Sequence, residues 1–182
     1  MISRILFTGA QGTGKTSVMD CLPTDLCKVR NITRTVAKDN NLAINTDGSD
    51  ASQQMIFDAY TKALEKNSFF VAERSLIDVY AYTLYQSSIG KCTGEIVRRQ
   101  RRELKTFIKK HENDIYVYFP IEFEPVYDGV RSVDKKYQKA IDEYIKDALK
   151  ELKVRYITVS GSIEHRVETI NGLINENIKR TN

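Results

Sequence analysis

The sequence predicts a three-layer α/β fold, in which a five-stranded parallel sheet has helices on both faces. Five short apolar runs alternate with helical segments along the 182 residues, and this alternation is typical of right-handed βαβ units. The run at 68–72 is almost wholly apolar, as expected for a strand that is buried on both faces of a parallel sheet. Ligands of such a sheet bind at the carboxyl ends of its strands.

Composition supports a single domain that spans residues 1–182. The chain is 41% hydrophobic and 29% charged, with a formal net charge of +4, which is typical of globular rather than disordered proteins. No apolar run approaches the roughly 18 residues of a membrane helix, and the first strand leaves no room for a signal peptide. The three cysteines lack metal-ligand spacing. We therefore expect a cytoplasmic protein without a membrane segment.

Three strands are predicted in the first half of the chain, at 5–7, 26–29 and 68–72. Helices are predicted at 16–21, 32–40, 50–67 and from the end of the third strand to about 88. A loop rich in Asn, Asp and Gly precedes the third of these helices, and Ser49 or Asp50 can cap it. Its apolar residues recur at helical spacing, at Met55, Ala59 and Ala63.

The second half predicts strands at 115–119 and 154–159, and helices at 95–111, at 134–152 and from 163 onward. The strand at 115–119 alternates in side-chain type along Ile115 to Tyr118 and stops at Pro120. The helix at 134–152 has one apolar side. We expect the last helix to be buried through Ile163, Val167, Ile170, Ile174 and Ile178.

A glycine-rich stretch between the first strand and the first helix matches the phosphate-binding loop pattern G-x-x-x-x-G-K-[ST] at every required position. Its glycines allow backbone conformations in which consecutive N–H groups turn toward phosphate oxygens. The helix that follows adds partial positive charge. The pattern therefore predicts a P-loop NTPase fold with a nucleotide site formed by Gly9, Ala10, Gln11, Gly12, Thr13, Gly14, Lys15 and Thr16.

Two side chains of this loop have predicted roles. We expect Lys15 to be a solvent-facing charge that reaches the β- and γ-phosphates of ATP. The hydroxyl of Thr16 is expected to bind Mg²⁺. ATP and Mg²⁺ are therefore the expected cofactors.

A second group of candidates follows the third predicted strand. Glu73 can hold Mg²⁺, directly or through water, or take a proton from an acceptor hydroxyl. Arg74 can neutralise phosphate charge, and Asp78 falls one helical turn later, where it can face the same cleft. The alternative is a surface Glu-Arg pair at a helix start. The phosphate loop favours the functional interpretation, because strand-end acids in such sheets open onto the ligand crevice.

The loop at about 122–136 is a candidate lid. Gly129 gives its backbone freedom, and Arg131 can fold over the triphosphate and stabilise charge on the transferring group. Lys135 and Lys136 follow closely. The alternative is a solvated basic loop.

These segments resemble the nucleoside and nucleotide kinase group of P-loop proteins, in order along nearly the whole chain. The segment 71–75 is similar to the Glu-Arg-Ser motif of deoxynucleoside kinases. The segments 128–132 and 161–166, the latter ending at Arg166, resemble the ATP-binding domain of the ribosylnicotinamide-kinase type. Small phage proteins of the AAA or thymidylate-kinase-like type are also similar. The resemblance implies that the second and third strands lie on one side of the first.

The chain departs from that kinase group on the acceptor side. Those kinases have an acid just after the second strand, whereas this sequence has Arg30 and Arg34 there and no carboxylate. The general-base role then falls to Glu73 or Asp78. The two arginines suit an acceptor that already carries phosphate.

The predicted helix at 95–111 is strongly basic. Seven basic and three acidic residues lie between 94 and 113, an excess equal to that of the whole chain. Three interpretations of the basic stretch at 98–110 are open: a solvated face, capture of substrate phosphate, or contact with a nucleic-acid backbone. Four of the cations share one face, namely Arg98, Arg102, Lys105 and Lys109.

Together these features predict a kinase that transfers the γ-phosphoryl group of ATP, with Mg²⁺, to a nucleoside-like or nucleotide-like acceptor. One alternative is a kinase that acts on a hydroxylated base or end in DNA. The other is a nucleotide-binding ATPase or switch with little kinase turnover.

Overall fold

The computed structural model describes residues 4–42, 48–66, 68–123 and 134–181, with the side chains of 178–181 left aside. Within these residues one parallel sheet has the strand order β2-β3-β1-β4-β5. The strands are β1 (Ile5–Thr8), β2 (Lys28–Val29), β3 (Val71–Ala72), β4 (Ile115–Tyr118) and β5 (Tyr156–Thr158). The predicted fold class and strand number are confirmed, and β2 and β3 lie on the expected side of β1.

The helices alternate with the strands as predicted. They are α1 (Lys15–Cys21), α2 (Ile32–Asp39), α3 (Asp50–Leu64), α4 (Leu76–Ser88), α5 (Gly94–Lys110), α6 (Lys135–Glu151) and α7 (Ile163–Thr181). Ser49 caps α3 as expected, because its hydroxyl accepts a hydrogen bond from the N–H of Ser52. No helix in the described ranges is long and apolar enough to cross a membrane.

Alternate residues of the central strand separate two cores. Ile5 and Phe7 pack with α1 and α7 on one face of the sheet. Leu6 points to the other face, where the core is built mainly from α3, α4, α5 and α6. Because β1 is buried on both sides, its carboxyl end is held rigidly, and the loop that follows it starts from a fixed point.

The buried face of one helix differs from the predicted one. Met55 in α3 is 39% exposed, and the residues that face the core are Ile56, Tyr60 and Leu64, because the position of the neighbouring elements, which periodicity alone does not give, decides which stripe is covered. In α7 the predicted face is confirmed at Ile170 and Ile174, whereas Ile163, at the start of the helix, is exposed.

Candidate active site

The phosphate loop links the end of β1 to the start of α1. Gly9 has φ 148°, and a Cβ at this position would lie 2.5 Å from the carbonyl oxygen of Phe119. Gly14 precedes α1 in a left-handed conformation with φ 85°. Both positions therefore require glycine, one because the β4 end approaches closely and the other because of its backbone angle.

Lys15 is buried, contrary to the expectation of a solvent-facing charge. Only 5% of the residue is exposed. Its Nζ donates hydrogen bonds of 2.6 Å to the carbonyl oxygens of Gly9 and Ala10 and one of 3.0 Å to Oγ1 of Thr13. A buried ammonium group needs hydrogen-bond acceptors, and these loop oxygens supply them. The lysine thus holds together the carbonyl groups of its own loop.

Thr16 and Glu73 meet at the mouth of the loop. The hydroxyl of Thr16 donates a hydrogen bond to Oε1 of Glu73, and the N–H of Glu73 donates one of 2.9 Å to the carbonyl of Val29. The β2–β3 pairing therefore fixes where the carboxylate lies. Hydroxyl and carboxylate oxygens are the ligands that Mg²⁺ prefers, and Mg²⁺ in nucleotide sites takes few protein ligands besides phosphates and water. The pair fits such an ion.

Asp78 is fully buried and makes contacts through both carboxylate oxygens. Oδ1 accepts a hydrogen bond of 2.9 Å from the N–H of Gly9. Oδ2 accepts bonds of 3.0 Å from the N–H and 2.9 Å from the hydroxyl of Ser75. These bonds cap α4 and attach the helix to the phosphate loop. Because both oxygens are in use, Asp78 is poorly placed for the general-base role expected of it. Its contacts instead position the phosphate loop against α4.

Arg74 lies between Asp78 and an aromatic ring. Its NH1 is 3.7 Å from Oδ1 of Asp78, and its Cζ lies 5.5 Å from the ring centroid of Tyr82. Burial lowers the pKa of Arg74, but Tyr82, Asp78, Tyr60 and Glu73 raise it more, so the net shift is upward. The guanidinium therefore stays charged beside the loop.

Gln11 joins the loop to two helices that sequence reasoning did not connect to it. Its Oε1 accepts a hydrogen bond of 3.0 Å from the hydroxyl of Tyr82 in α4. Its carbonyl accepts one of 2.7 Å from Nε2 of Gln138 in α6. Tyr82 contacts the loop only because α4 packs against it, and sequence spacing does not show this contact.

Arg166 is buried against the other side of the loop. Its NH1 donates a hydrogen bond of 2.8 Å to the carbonyl of Thr13, and its Nε donates one of 3.0 Å to the carbonyl of Gly161. NH2 pairs with Glu122, which also accepts a hydrogen bond of 2.9 Å from the N–H of Gly161. A single guanidinium thus connects the phosphate loop, the turn before α7 and the segment after β4.

Arg131 and Arg30 are the remaining candidates. Arg131, with most of the expected lid, falls within 124–133 and so lies outside the described residues. Arg30 pairs with Asp20 of α1, with the side chain 29% exposed. The group of at least three His, Cys, Asp or Glu side chains that an all-protein metal site needs is absent from the described part of the chain.

The basic face of α5 is solvent-exposed. Three cations of the helix are paired: Arg99 with Glu103, Arg101 with Glu151, and Lys110 with Glu65. The other four form a stripe that makes no ion pair with any residue in the described ranges; they are Arg98, Arg102, Lys105 and Lys109.

Comparison with known proteins identifies the fold independently. A family model described as an AAA domain matches residues 4–166. Deoxyadenosine kinase from M. mycoides, solved with the products dCMP and a flexible dCDP bound, is similar with a TM-score of 0.64 and 14% identity over 95% of this chain and 98% of that chain. NadR in complex with NR has a TM-score of 0.71 and 14% identity over 94% of this chain and 51% of that chain.

These likenesses establish the fold rather than the chemistry, because the identities are low. The chain spans about half the length of NadR. The search of curated proteins returned no match. The predicted resemblance to the P-loop nucleoside and nucleotide kinase group is confirmed at the level of the fold.

Proposed function

The chain belongs to the AAA domain family, and from this membership and the geometry of its phosphate loop we propose that it transfers the γ-phosphoryl group of ATP to a nucleoside or nucleotide-like acceptor. The reaction needs little covalent help from the protein, so positioning and charge stabilisation carry it. We also propose a cytoplasmic location, because Cys21, Cys27 and Cys92 are free thiols, as expected in a reducing compartment.

The observation that carries the proposal is the contact between Thr16 and Glu73 beside a complete phosphate loop. It brings a hydroxyl and a carboxylate together at the carboxyl ends of β1 and β3, where a parallel sheet binds ligands. When bound there, Mg²⁺ would neutralise charge on the triphosphate. Glu73 would either hold the ion or accept the acceptor's proton.

Four further residues complete the proposed site. Lys15 would exchange its bonds to the loop carbonyls for bonds to the β- and γ-phosphates. Arg74 would neutralise charge on the transferring group, and Asp78 would hold the loop in place. Arg131 would act when the lid closes over the triphosphate. Arg131→Ala would therefore lower kcat more than it weakens ATP binding.

ATP consumption with a panel of acceptors tests this function. Purified protein is assayed with ATP and Mg²⁺ against free nucleosides, nucleoside monophosphates and oligonucleotides, with Lys15→Ala as the matched inactive variant. Stimulation by nucleosides or nucleotides that disappears in the variant supports the proposal. ATP hydrolysis that no acceptor stimulates would indicate a nucleotide-dependent switch instead.

A kinase that acts on a base or end in DNA is the second candidate, and the unpaired stripe on α5 favours it. Four exposed cations on one helical face can follow a phosphate backbone. The affinity for an oligonucleotide should then fall steeply as the salt concentration rises. The double variant Arg102→Ala, Lys105→Ala should reduce the slope of log affinity against log salt concentration by roughly the equivalent of two phosphate contacts. Arg99→Ala with Lys110→Ala removes the same number of charges from paired positions and serves as control.

A further inference from the structure

The last strand of the sheet differs from the other four in its exposure. β5 lies at one end of the strand order, and all three of its residues are exposed, whereas every residue of β1, β2, β3 and β4 is buried or half-buried. Tyr156 is 46% and Ile157 39% exposed. Two further large apolar side chains, Phe123 and Ile163, are exposed in the segments next to the carboxyl end of β5. The chain by itself therefore leaves an apolar surface uncovered along this edge.

The backbone of β5 is also open on one side. The strand pairs in parallel with β4, and the N–H of Val159 donates a hydrogen bond of 3.0 Å to the carbonyl of Tyr118. Alternate residues of a strand bond to the same neighbour, so Ile157 faces β4 together with Val159. The N–H and C=O groups of Tyr156 and Thr158 then face outward, and no backbone group in the described ranges bonds to them from that side.

The opposite edge of the sheet is protected against further pairing. β2 has only two residues, one of which is Lys28, and Asn31 just beyond it has a left-handed conformation with φ 59°. Short length and lysine are usual protections of an edge strand. β5 has neither charge nor proline between Tyr156 and Thr158, and its three residue types all favour strands. This edge is therefore suited to pairing with another strand.

A second copy of β5 fits this edge in one antiparallel register. Centring the pair on Ile157 places Tyr156 of each copy opposite Thr158 of the other. Each of these two opposed pairs exchanges both N–H···O bonds, so all the outward backbone groups are satisfied. The two copies of Ile157 then meet in a closely spaced pair on one face of the sheet, where apolar β-branched side chains stabilise each other.

The charges beside the strand are complementary in the same register. Arg155 is exposed and forms no ion pair with any residue in the described ranges, and it lies opposite Val159 of the second copy. Gly161 follows two positions later, and its N–H is bonded to the carboxylate of Glu122. Long side chains reach such diagonal neighbours, and Val159 and Glu122 both lie on the side of the sheet that α7 covers. The cation of each copy therefore approaches an anion of the other.

We propose that two copies of this chain associate through β5, in antiparallel orientation about a two-fold axis. The two five-stranded sheets then form one continuous sheet of ten strands. The contact uses the same surface on both copies, so it closes at the dimer and does not extend into a filament. The two phosphate loops open at opposite edges of the joined sheet, because the strands of the two copies run in opposite directions. The dimer does not depend on the kinase activity proposed above.

The mass in solution, measured by light scattering over a range of protein concentration, tests the dimer. The wild type should approach twice the 20.9 kDa of the chain as concentration rises. Ile157→Lys places like charges opposite each other and should weaken dimerisation about tenfold or more. Met55→Lys is the matched control, since Met55 lies in α3 and is also 39% exposed, and it should dimerise as the wild type does.

Thr158→Pro tests the role of the open backbone. It removes an outward N–H that the single chain does not use, and proline is tolerated on an edge strand when its missing N–H faces solvent. We expect the variant to lose dimerisation, while its thermal midpoint in dilute solution stays at that of the wild-type monomer. Thr158→Val keeps the N–H and should dimerise normally.

Cysteine cross-linking tests the register. In a background with the exposed Cys21 and Cys27 replaced by serine, Ile157→Cys should form an intermolecular disulfide on mild oxidation, because the Cα atoms of such a closely spaced pair are about 4.5 Å apart. Arg155→Cys should not, since the two copies of position 155 lie four residues apart along the ladder, or roughly 13 Å.

Three results would overturn the proposal. A wild type that is monomeric at every concentration would leave the edge to a strand of another protein. A dimer that Ile157→Lys and Thr158→Pro leave unchanged would use another surface. Cross-linking at position 155 in preference to 157 would exclude the antiparallel register.

Discussion

Oδ1 of Asp78 accepts a hydrogen bond of 2.9 Å from the backbone N–H of Gly9, so the first turn of α4 holds the first glycine of the phosphate loop. The same carboxylate caps its own helix through Ser75. One buried side chain therefore fixes both the loop and the helix that begins beside Glu73 and Arg74.

Replacing Asp78 should damage stability and nucleotide binding together. Asp78→Ala removes a helix cap and leaves the N–H of Gly9 buried without a partner, so we expect a loss of about 2–4 kcal/mol in the free energy of unfolding. Kd for ATP should rise because the loop loses an anchor. Chemical denaturation and calorimetry measure the two effects. Asp20→Ala is the control, since its side chain is 56% exposed and should change stability by about 0.5 kcal/mol or less. Equal losses in both variants would contradict the assignment.

Lys15→Ala should lose phosphoryl transfer and also stability. The sequence alone, with a solvent-facing lysine, predicts a change of no more than about 0.5 kcal/mol. In the folded chain Nζ satisfies three loop oxygens, so we expect a loss of about 1–3 kcal/mol without nucleotide. Denaturation of the ligand-free variant decides between these values, and Lys109→Ala, at an exposed position, controls for removal of a charge. A stability equal to that of Lys109→Ala would show that the bonds to the loop contribute nothing.

Arg166→Lys should weaken the use of ATP more than that of the acceptor. Lysine keeps the charge but cannot bond at once to Thr13, Gly161 and Glu122, as the guanidinium does. We expect KM for ATP to rise about tenfold, with a smaller change in KM for the acceptor. Steady-state kinetics with each substrate varied in turn measure the split. Arg155→Lys, at an exposed position, should behave as the wild type, and a uniform loss in kcat alone would exclude a donor-side role for Arg166.

The phosphate loop could be predicted to the residue because its requirements are local. Left-handed glycines, a lysine and a hydroxyl residue at fixed spacing between a strand and a helix specify the backbone without distant contacts. The alternation of strands and helices was predictable for the same reason. The ends of the strands could be predicted less well. β3 pairs only at Val71 and Ala72, although its apolar run is longer. The neighbouring strands determine where pairing stops.

Contacts between distant segments could not be predicted in this way. The bond from Gly9 to Asp78 spans 69 positions and that from Arg166 to Thr13 spans 153. Sequence spacing places Asp78 one turn after Arg74 and so near the cleft, but only the packing of α4 against the loop turns its carboxylate into an anchor. Arg166 was visible as part of a motif, and its role depends on where α7 crosses α1.

His111 should make stability dependent on pH. Its ring packs against Phe107 with 4.6 Å between centroids. Burial, followed by the charge of Arg4, lowers its pKa, with Lys110 acting in the same direction and Asp114 and Glu65 opposing it. Since the unfolded chain binds the proton more readily, stability falls as pH drops below the ordinary value of 6.5.

Replacing this histidine with an apolar residue should flatten that dependence. His111→Leu is expected to lose less free energy of unfolding than the wild type between about pH 7.5 and about pH 5.5. The chain has one other histidine, His165, which is exposed. His165→Leu should therefore follow the wild type. If both variants follow the wild type, another group causes the acid sensitivity.

Glu73→Gln distinguishes the two roles that remain for this carboxylate. Its contact with Thr16 beside the phosphate loop favours the metal role, whereas the lack of a carboxylate after β2 favours the base role. As a metal ligand, Glu73 contributes a charge that glutamine cannot replace, so the variant should need more Mg²⁺ for its half-maximal rate. The measurement is the initial rate as a function of Mg²⁺ at saturating ATP, with Glu103→Gln, on the surface of α5, as control.

If Glu73 is instead the general base, the kcat loss of Glu73→Gln should depend on pH, because the acceptor hydroxyl ionises by itself as pH rises. Unchanged Mg²⁺ dependence, together with a kcat loss that shrinks toward high pH, would assign the proton to Glu73 and leave the metal to Thr16 and the phosphates.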